Sequence, residues 1–306
     1  MQRVLPSHEI ASSVPQSIPR VCLPDRAIFA RRAARLHALA ADHTLGDYLH
    51  LMECLVRGQD MELARCAASA VNADEVARAA SHRMPILPAA DHRRHTAWHA
   101  ILFRLCDYVQ AQPSMPAGVI ALLGKLRQMS PAQLDAQADA IAVGRIEHID
   151  IALAPFVCAA LQVCWTALAS ALSPADVPVL DVNGVCPVCG SLPMASVVRT
   201  GRPHDGYRYL HCSLCETQWH MVRVKCSHCE AVEGVAYRFV EGSSQAVRAE
   251  TCDQCHTYRK ILYLEKDMNA EPLADDLASL ALDLLMSEAG YHRANTNPLL
   301  WQRAEG

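Results

Sequence analysis

Four Cys-x-x-Cys pairs are the feature of this sequence that points most directly to chemistry. Two intervening residues let the chain curl so that both sulfurs of a pair face one point, and two such pairs supply four thiolates around one metal ion. We therefore predict that the chain holds two metal ions through eight cysteine ligands. These ligands are Cys186, Cys189, Cys212, Cys215, Cys226, Cys229, Cys252 and Cys255.

The eight cysteines form an internal repeat. Each of the first four reappears later in the chain at the same offset, since 226 − 186 equals 255 − 215. The stretches between the two pairs of each copy, 190–211 and 230–251, are equal in length, and only the short stretch 216–225 separates the copies. Two copies of one small unit explain this spacing. We predict sequential ligation, in which the first two pairs form one site and the last two pairs form the other. The alternative is interleaved ligation, in which the first pair shares an ion with the third and the second with the fourth.

A tetrahedral cage of four sulfurs fits zinc and also a single iron ion of the rubredoxin type. Such a shell is closed and leaves no coordination position for a substrate, so hydrolytic metal chemistry is disfavoured. Structural support and one-electron transfer remain as roles. We predict no catalytic residues and expect that the protein is not an enzyme.

The residue after each Cys-x-x-Cys pair affects whether the backbone can form a left-handed turn beside the sulfurs. Gly190 follows the first pair and suits a left-handed turn that points backbone N–H groups at sulfur. The other pairs are followed by Glu216, Glu230 and His256. The sequence therefore predicts this turn only once.

Composition divides the chain near residue 180. Alanine fills 36 of the first 180 positions but only 5 of the 85 positions from 181 to 265. Alanine favours helices, so we expect the first part to be all-helical. The second part has short runs rich in Val and Tyr that predict small antiparallel strands. These runs are Met194 to Arg199, Tyr207 to His211, Trp219 to Val224, Val235 to Val240 and Tyr258 to Leu264.

Individual helices are also indicated. Ser130 and Pro131 predict a helix start, and a last helix is predicted after Pro272, ending near Gly290. Leu277, Leu280, Ala281, Leu284 and Leu285 are expected on one face of that last helix. A helical stripe comprises Leu45, Tyr48, Leu49, Met52, Leu55 and Val56.

The segment from Ile151 to Leu172 has no charged residue over 22 positions. Seven of these residues are alanine, so the gain from entering a bilayer is weak. We predict a helix buried in the helical domain rather than a membrane span, and no stable membrane insertion. The first twenty residues contain no apolar stretch of secretory length, so we expect a cytoplasmic protein.

Charge argues against nucleic-acid binding. The formal net charge is −4, and residues 181 to 265 contain nine basic and nine acidic residues. Two four-thiolate sites with divalent ions would make this region negative. A local basic run is nevertheless present, and it comprises Arg199, Arg202, His204, Arg208 and His211. We expect no nucleic-acid partner, because phosphate binding depends on positive charge.

Three histidines offer another candidate metal face. His92, His95 and His99 recur at helical spacing near Trp98. We see no obvious carboxylate partner on that face. The simpler interpretation, a polar helical face, is favoured.

The chain resembles the formate dehydrogenase accessory protein family, FdhE, and the likeness is specific over roughly residues 180 to 300. The resemblance implies a cytoplasmic factor that respiratory formate dehydrogenase needs and that is not itself a dehydrogenase. It implies binding to the catalytic subunit, which contains molybdenum or tungsten, during maturation before export. It also implies a rubredoxin-like C-terminal part that holds iron. The matching runs are CPVCGSLP, YRYLHCSLCETQWHMVRVKCSHCE, VRAETCDQCHTYRKILY and LADDLASLALDLLMSEAGYHRANTNPLL.

The expected fold class is α+β. It comprises an N-terminal all-helical domain (1–180), a tandem rubredoxin-like or zinc-ribbon domain with two four-cysteine sites (181–265), and a C-terminal helix (266–306) that packs on the rest. The expected function is an accessory and maturation factor that binds the catalytic subunit of respiratory formate dehydrogenase through its metal-stabilised module. The alternative is rubredoxin-like electron transfer to that enzyme, and a zinc-ribbon nucleic-acid binder is the third possibility.

Overall fold

The computed structural model describes residues 18–67, 71–90, 97–113 and 115–302. Helices dominate the described chain before residue 180, as predicted. They are α1 (Ile28–Ala40), α2 (Gly46–Arg65), α3 (Ala73–His82), α4 (Ala97–Gln110), α5 (Ala117–Gln128), α6 (Pro131–Val143) and α7 (Ala154–Ala169).

Local signals explain several helix bounds. The predicted stripe lies on α2 except for Leu45, which directly precedes the helix, and Leu49, Met52, Leu55 and Val56 are buried. Helix α6 begins at a capping box, in which the Ser130 hydroxyl accepts from the Gln133 N–H and the Gln133 side chain accepts from the Ser130 N–H. These bonds satisfy donors that a helix start leaves free.

The uncharged segment forms helix α7. All of its residues except Cys164 and Leu168 are buried, so the predicted buried helix is confirmed. Within the part of the chain that the structure describes, every helix is too short or too polar to cross a bilayer.

An eight-stranded sheet contains seven strands from the second part of the chain and one strand that precedes the helices. Its strands are β1 (Val21–Cys22), β2 (Pro193–Val198), β3 (Arg208–Cys212), β4 (Gln218–His220), β5 (Val235–Arg238), β6 (Val247–Cys252), β7 (Thr257–Tyr263) and β8 (His292–Arg293). The order is β1-β4-β3-β2-β7-β6-β5, and β8 pairs with β7.

The sheet order displays the sequence repeat. Strands β4-β3-β2 and β7-β6-β5 are two antiparallel units in the same order. The units join through the parallel pair β2 and β7, where Ser196 is opposite Ile261. Each unit carries one set of four cysteines. This repeated ribbon matches the zinc-ribbon-like part of the predicted fold class.

Three details differ from the sequence predictions. Strand β1 precedes the helices but pairs with β4, Val21 opposite Trp219, so the chain before residue 180 is not entirely helical. Strand β6 was not predicted, because its buried Glu250 interrupts an apolar pattern. The strand predicted from Trp219 to Val224 ends at His220, and the chain then turns with Val224 in the left-handed region.

The prediction of one continuous last helix is also wrong. It is split into α8 (Pro272–Leu277) and α9 (Leu280–Glu288). The buried Lys260 ammonium donates to the carbonyl oxygens of Asp276 (2.7 Å) and Ser279 (3.0 Å), on either side of the break. Each carbonyl also accepts a backbone N–H, Asp276 from Ser279 (3.3 Å) and Ser279 from Leu282 (3.0 Å), so the lysine is an additional donor to both. On α9 the buried residues are Leu282 and Met286, whereas the predicted Leu284 and Leu285 are exposed.

One hydrophobic core joins the helices to the first ribbon unit. It includes Phe29 and Leu36 of α1, Leu161 of α7, and Cys186 and Cys212 from the ribbon. Because of this shared core, the first set of cysteines lies inside the molecule.

Candidate metal centres

The first centre is formed by Cys186, Cys189, Cys212 and Cys215, whose Sγ atoms all lie within 4.8 Å of one another. The Sγ atoms of Cys186 and Cys215 are 3.5 Å apart, and those of Cys189 and Cys212 are 3.3 Å apart. Sulfurs at about 2.3 Å from a tetrahedral zinc ion would lie about 3.8 Å from each other. Since a disulfide bond is about 2.05 Å long, these distances fit a cage around an ion, not a cross-link.

The second centre is formed by Cys226, Cys229, Cys252 and Cys255, again with all Sγ atoms within 4.8 Å. The Sγ atoms of Cys226 and Cys255 are 3.8 Å apart, and those of Cys229 and Cys252 are 3.7 Å apart. The structure thus groups the sulfurs sequentially and not in the interleaved arrangement. Each centre could hold one metal ion.

Equivalent parts of the two ribbon units position the sulfurs. In each unit one pair lies in the loop before the first strand, and the second pair begins at the end of the middle strand, at Cys212 of β3 or Cys252 of β6. Backbone N–H groups point at these sulfurs. The Leu214 N–H donates to Cys212 Sγ (3.3 Å), and the His228 N–H donates to Cys226 Sγ (3.4 Å).

The left-handed turn predicted once occurs after all four pairs. The φ angles are +78° at Gly190, +63° at Glu216, +64° at Glu230 and +52° at His256. A side chain in this region costs about 1–2 kcal/mol, so three of the four pairs tolerate strain that glycine avoids. The repeat, rather than the residue type, carries the signal that could have predicted these turns.

Threonine hydroxyls add a further repeated contact. Thr217 Oγ1 lies 3.2 Å from Cys215 Sγ, and Thr257 Oγ1 lies 3.0 Å from Cys255 Sγ. The Cys215 thiol donates to Thr217 Oγ1, whereas a hydroxyl that donates to the Cys255 sulfur would stabilise its ionised form. Although burial opposes ionisation, the hydrogen bonds from Thr257 lower the pKa of Cys255 to about 7.

The charge of the thiolates supports a cation at each centre. Burial and the neighbouring thiols raise the pKa of Cys212 and Cys215 well above the usual range. Burial also raises the pKa of Cys226 to about 12. Four sulfurs at this spacing cannot all ionise beside one another unless a cation neutralises them. The donor set therefore fits a thiophilic metal ion such as zinc or iron.

A buried ion pair connects the first centre to helix α1. Glu216 directly follows Cys215, and its carboxylate accepts from Arg32 Nη1 (3.1 Å) and Nη2 (2.5 Å). The His211 imidazole Nε2 lies 2.8 Å from the same carboxylate. Burial opposes ionisation, but Arg32 and His211 lower the pKa of Glu216 to about 2. No sequence signal indicated this contact, because the two partners lie far apart along the chain.

The two centres differ in exposure. The four cysteines of the first centre are at most 1% exposed. In the second centre Cys226 and Cys252 are buried, whereas Cys255 is half-buried and Cys229 is exposed. Only the second centre therefore places a sulfur at the surface.

The structure places the other sequence candidates only in part. His92 and His95 lie outside the described residues, and His99 Nε2 lies 3.0 Å from Asp135 Oδ1, a carboxylate partner that the sequence did not reveal. In the basic run, Arg208 and His211 are fully buried. Arg208 donates to Glu250 within the sheet (2.6 Å), so neither residue is available to phosphate groups.

Comparison with known proteins confirms the resemblance. Three family models match consecutive parts of the chain: "FdhE, N-terminal" over residues 18–181, "FdhE, central domain" over 185–223 and "FdhE, C-terminal domain" over 224–300. This chain belongs to the FdhE family. The FdhE homolog of Klebsiella pneumoniae is 36% identical over 304 residues, covering 98% of this chain and 97% of the relative. The FdhE homolog of Pseudomonas aeruginosa is 41% identical over 298 residues, covering 95% of each chain.

A solved FdhE structure has the same fold. The crystal structure of the FdhE protein from Pseudomonas aeruginosa superposes with a TM-score of 0.84 at 40% identity. It covers 92% of this chain and 99% of that chain. The FdhE fold, with its helical N-terminal part and its sheet-containing C-terminal region, is thus established for this chain.

Proposed function

We propose that this protein is an accessory factor that binds the catalytic subunit of a respiratory formate dehydrogenase during maturation in the cytoplasm. Membership of the FdhE family supports this role, as does the closed four-sulfur shell of each centre, which offers no position for a substrate. The factor has no turnover of its own. In this proposal residues 181–265 form the docking module, residues 1–180 supply further surface, and residues 266–306 pack on both.

The observation that carries the proposal is the surface around the second centre. The segments that flank its first cysteine pair hold Val222, Val224 and Val232, which are 60%, 61% and 71% exposed. Single exposed valines are ordinary, but these three lie close along the chain to the exposed Cys229, and exposed apolar side chains suit contact with a partner protein. We name this the second-centre surface, comprising these three valines and Cys229.

Backbone strain supports the same location. Val224 has a φ of +58°, and a β-branched residue in the left-handed region is a conformational outlier. Such strain is kept where the surrounding structure requires it and is concentrated at functional sites. The strained valine therefore presents its side chain to solvent two residues before Cys226.

A binding assay with the purified dehydrogenase catalytic subunit tests the docking role. The Val224→Asp, Val232→Asp double variant should lose binding, because two carboxylates replace the apolar contact. Asp also tolerates the left-handed conformation better than Val. Val143→Asp, at an exposed apolar position of α6, is the matched control and should bind normally. Equal binding by the double variant, or none by the wild-type protein, would refute the docking model.

Electron transfer is the second candidate, and the exposure of Cys229 favours it at the second centre. An iron ion held there would lie close to the partner's surface. Visible absorption of protein purified without oxygen, and then oxidised, distinguishes the roles. Ferric thiolate bands that disappear on reduction would support electron transfer, whereas a colourless protein with zinc would leave only the structural role.

A further inference from the structure

A cluster of nitrogen and oxygen ligands lies between helices α1 and α2, far in sequence from the eight cysteines of the two centres. His37 Nδ1 and His50 Nδ1 lie 3.1 Å and 3.2 Å from the same atom, Glu53 Oε2. The three candidate ligand atoms all lie within 4.8 Å of one another. His37 belongs to α1, while His50 and Glu53 are one helical turn apart on α2.

The spacing fits a tetrahedral metal ion. Zinc binds imidazole nitrogen and carboxylate oxygen at about 2.0–2.2 Å, so ligand atoms in a tetrahedron lie about 3.3–3.6 Å apart. The observed nitrogen to oxygen distances are slightly shorter and need only a small rotation of the rings. Two histidines and one glutamate are a known ligand set for zinc that keeps a fourth position open.

The surroundings hold the carboxylate and leave the imidazoles accessible. Arg57 donates to the other oxygen of Glu53, from Nε at 2.9 Å and from Nη2 at 2.7 Å. A ligating carboxylate is commonly oriented by such an outer contact. The side chains of His37 and His50 are 65% and 53% exposed, whereas that of Glu53 is 9% exposed. An ion between them would therefore meet solvent on one side only.

Without a metal ion, the two rings would converge on one acceptor atom. Each imidazole would donate from Nδ1 to Glu53 Oε2, either as the Nδ1 tautomer or as an imidazolium ion. Arg57 already donates twice to the same carboxylate. With a metal ion, each Nδ1 instead contributes its lone pair and each ring keeps its proton on Nε2.

We infer that His37, His50 and Glu53 form a third metal site, which takes a borderline divalent ion such as zinc with water at the open fourth position. This site is chemically distinct from the four-cysteine centres, because it has no sulfur ligand and is open to solvent. Its ion exchanges with solution more readily than theirs. The inference is independent of the proposed function, since it concerns neither the ribbon nor a partner enzyme.

Zinc counting on the full-length protein tests the inference. Protein with both cysteine centres filled is dialysed against micromolar free zinc, and the metal ions per chain are then measured by elemental analysis. We expect three ions per chain for the wild type and two for the His37→Gln, His50→Gln double variant and for Glu53→Gln. His82→Gln, at an exposed position at the end of α3, is the matched control and should retain three.

Calorimetric titration with zinc measures the affinity of the site. The variants should weaken zinc binding at least tenfold, because the loss of an outer-shell partner alone weakens metal binding by about 10–100-fold. Folding is checked by circular dichroism, and the largely exposed imidazoles leave no buried gap when replaced by glutamine. A wild-type count of two ions, or an unchanged count of three in the double variant, would overturn the inference.

Discussion

Arg32 and Glu216 form an ion pair inside the protein, with Nη2 2.5 Å from Oε2 and neither side chain exposed to solvent. Arg32 also donates to Glu271 through Nε (3.0 Å), and the Glu271 carboxylate caps helix α8. One guanidinium therefore connects helix α1, the first metal centre and the C-terminal segment. We therefore expect the loss of this contact to disturb the first centre as well as the helix.

Replacing Arg32 with Met should destabilise the protein by about 3–5 kcal/mol, because two buried carboxylates lose their partner. The neighbouring Arg31 is the control. Its pair with Asp25 is more than half exposed on both sides, so Arg31→Met should cost about 1 kcal/mol or less. Denaturant unfolding of both variants measures the difference. Equal losses would mean that the buried pair contributes no more than the exposed one.

The two centres should lose their metal in a fixed order. A chromogenic chelator such as pyridylazoresorcinol should remove the ion of the second centre first, because Cys229 is exposed and the cysteines of the first centre are buried. Stopped-flow absorbance should show two separate phases. The Cys226→Ser, Cys229→Ser variant should retain only the slow phase, and a single phase in the wild type would contradict the difference in accessibility.

Paired cysteine variants should each remove one ion. Sequential grouping of the sulfurs means that Cys186→Ser, Cys189→Ser empties the first centre, while Cys226→Ser, Cys229→Ser empties the second. The first variant should also lower the melting temperature more, because its centre lies in the core shared with the helices. Elemental analysis and thermal unfolding check both points. Loss of the same ion from both variants would instead indicate shared ligation.

Gly190 should be sensitive to substitution. Its φ is +78°, and an added Cβ would lie 3.3 Å from Pro85 Cγ. Gly190→Ala should therefore cost about 1–2 kcal/mol. Gly124, inside helix α5 with open space around it, is the matched control, and Gly124→Ala should stabilise the protein by about 1 kcal/mol. Shifts of the same sign in thermal unfolding would show that the left-handed turn imposes no penalty.

The sequence was most informative where local spacing carried the signal. The fixed offset between the two sets of cysteines predicted two groups of sulfurs, and the structure groups them sequentially. The same offset, applied to β3 (Arg208–Cys212), would have indicated the strand that was missed, β6 (Val247–Cys252). Helix α6 was predictable for a similar reason, since its capping box joins Ser130 to the nearby Gln133.

Patterns that depend on distant partners were not predictable. The last helix was expected to be continuous, because its sequence does not show that Lys260 donates to carbonyl oxygens at the break. The face of α9 was assigned incorrectly for a related reason. Which of its apolar residues are buried depends on the part of the sheet that α9 contacts, where Leu282 and Met286 pack with Tyr258.

The sequence by itself determined the number of candidate ligand cysteines, their division into two repeats and the resemblance to the family, because each follows from residue types at short, fixed spacings. The tertiary structure alone decided that the first centre is buried and the second reaches the surface. It also decided that Arg32 pairs with Glu216 and that His37 meets Glu53 across two helices. Burial and long-range pairing result from how the helices and the sheet share one core, and no local pattern encodes that packing.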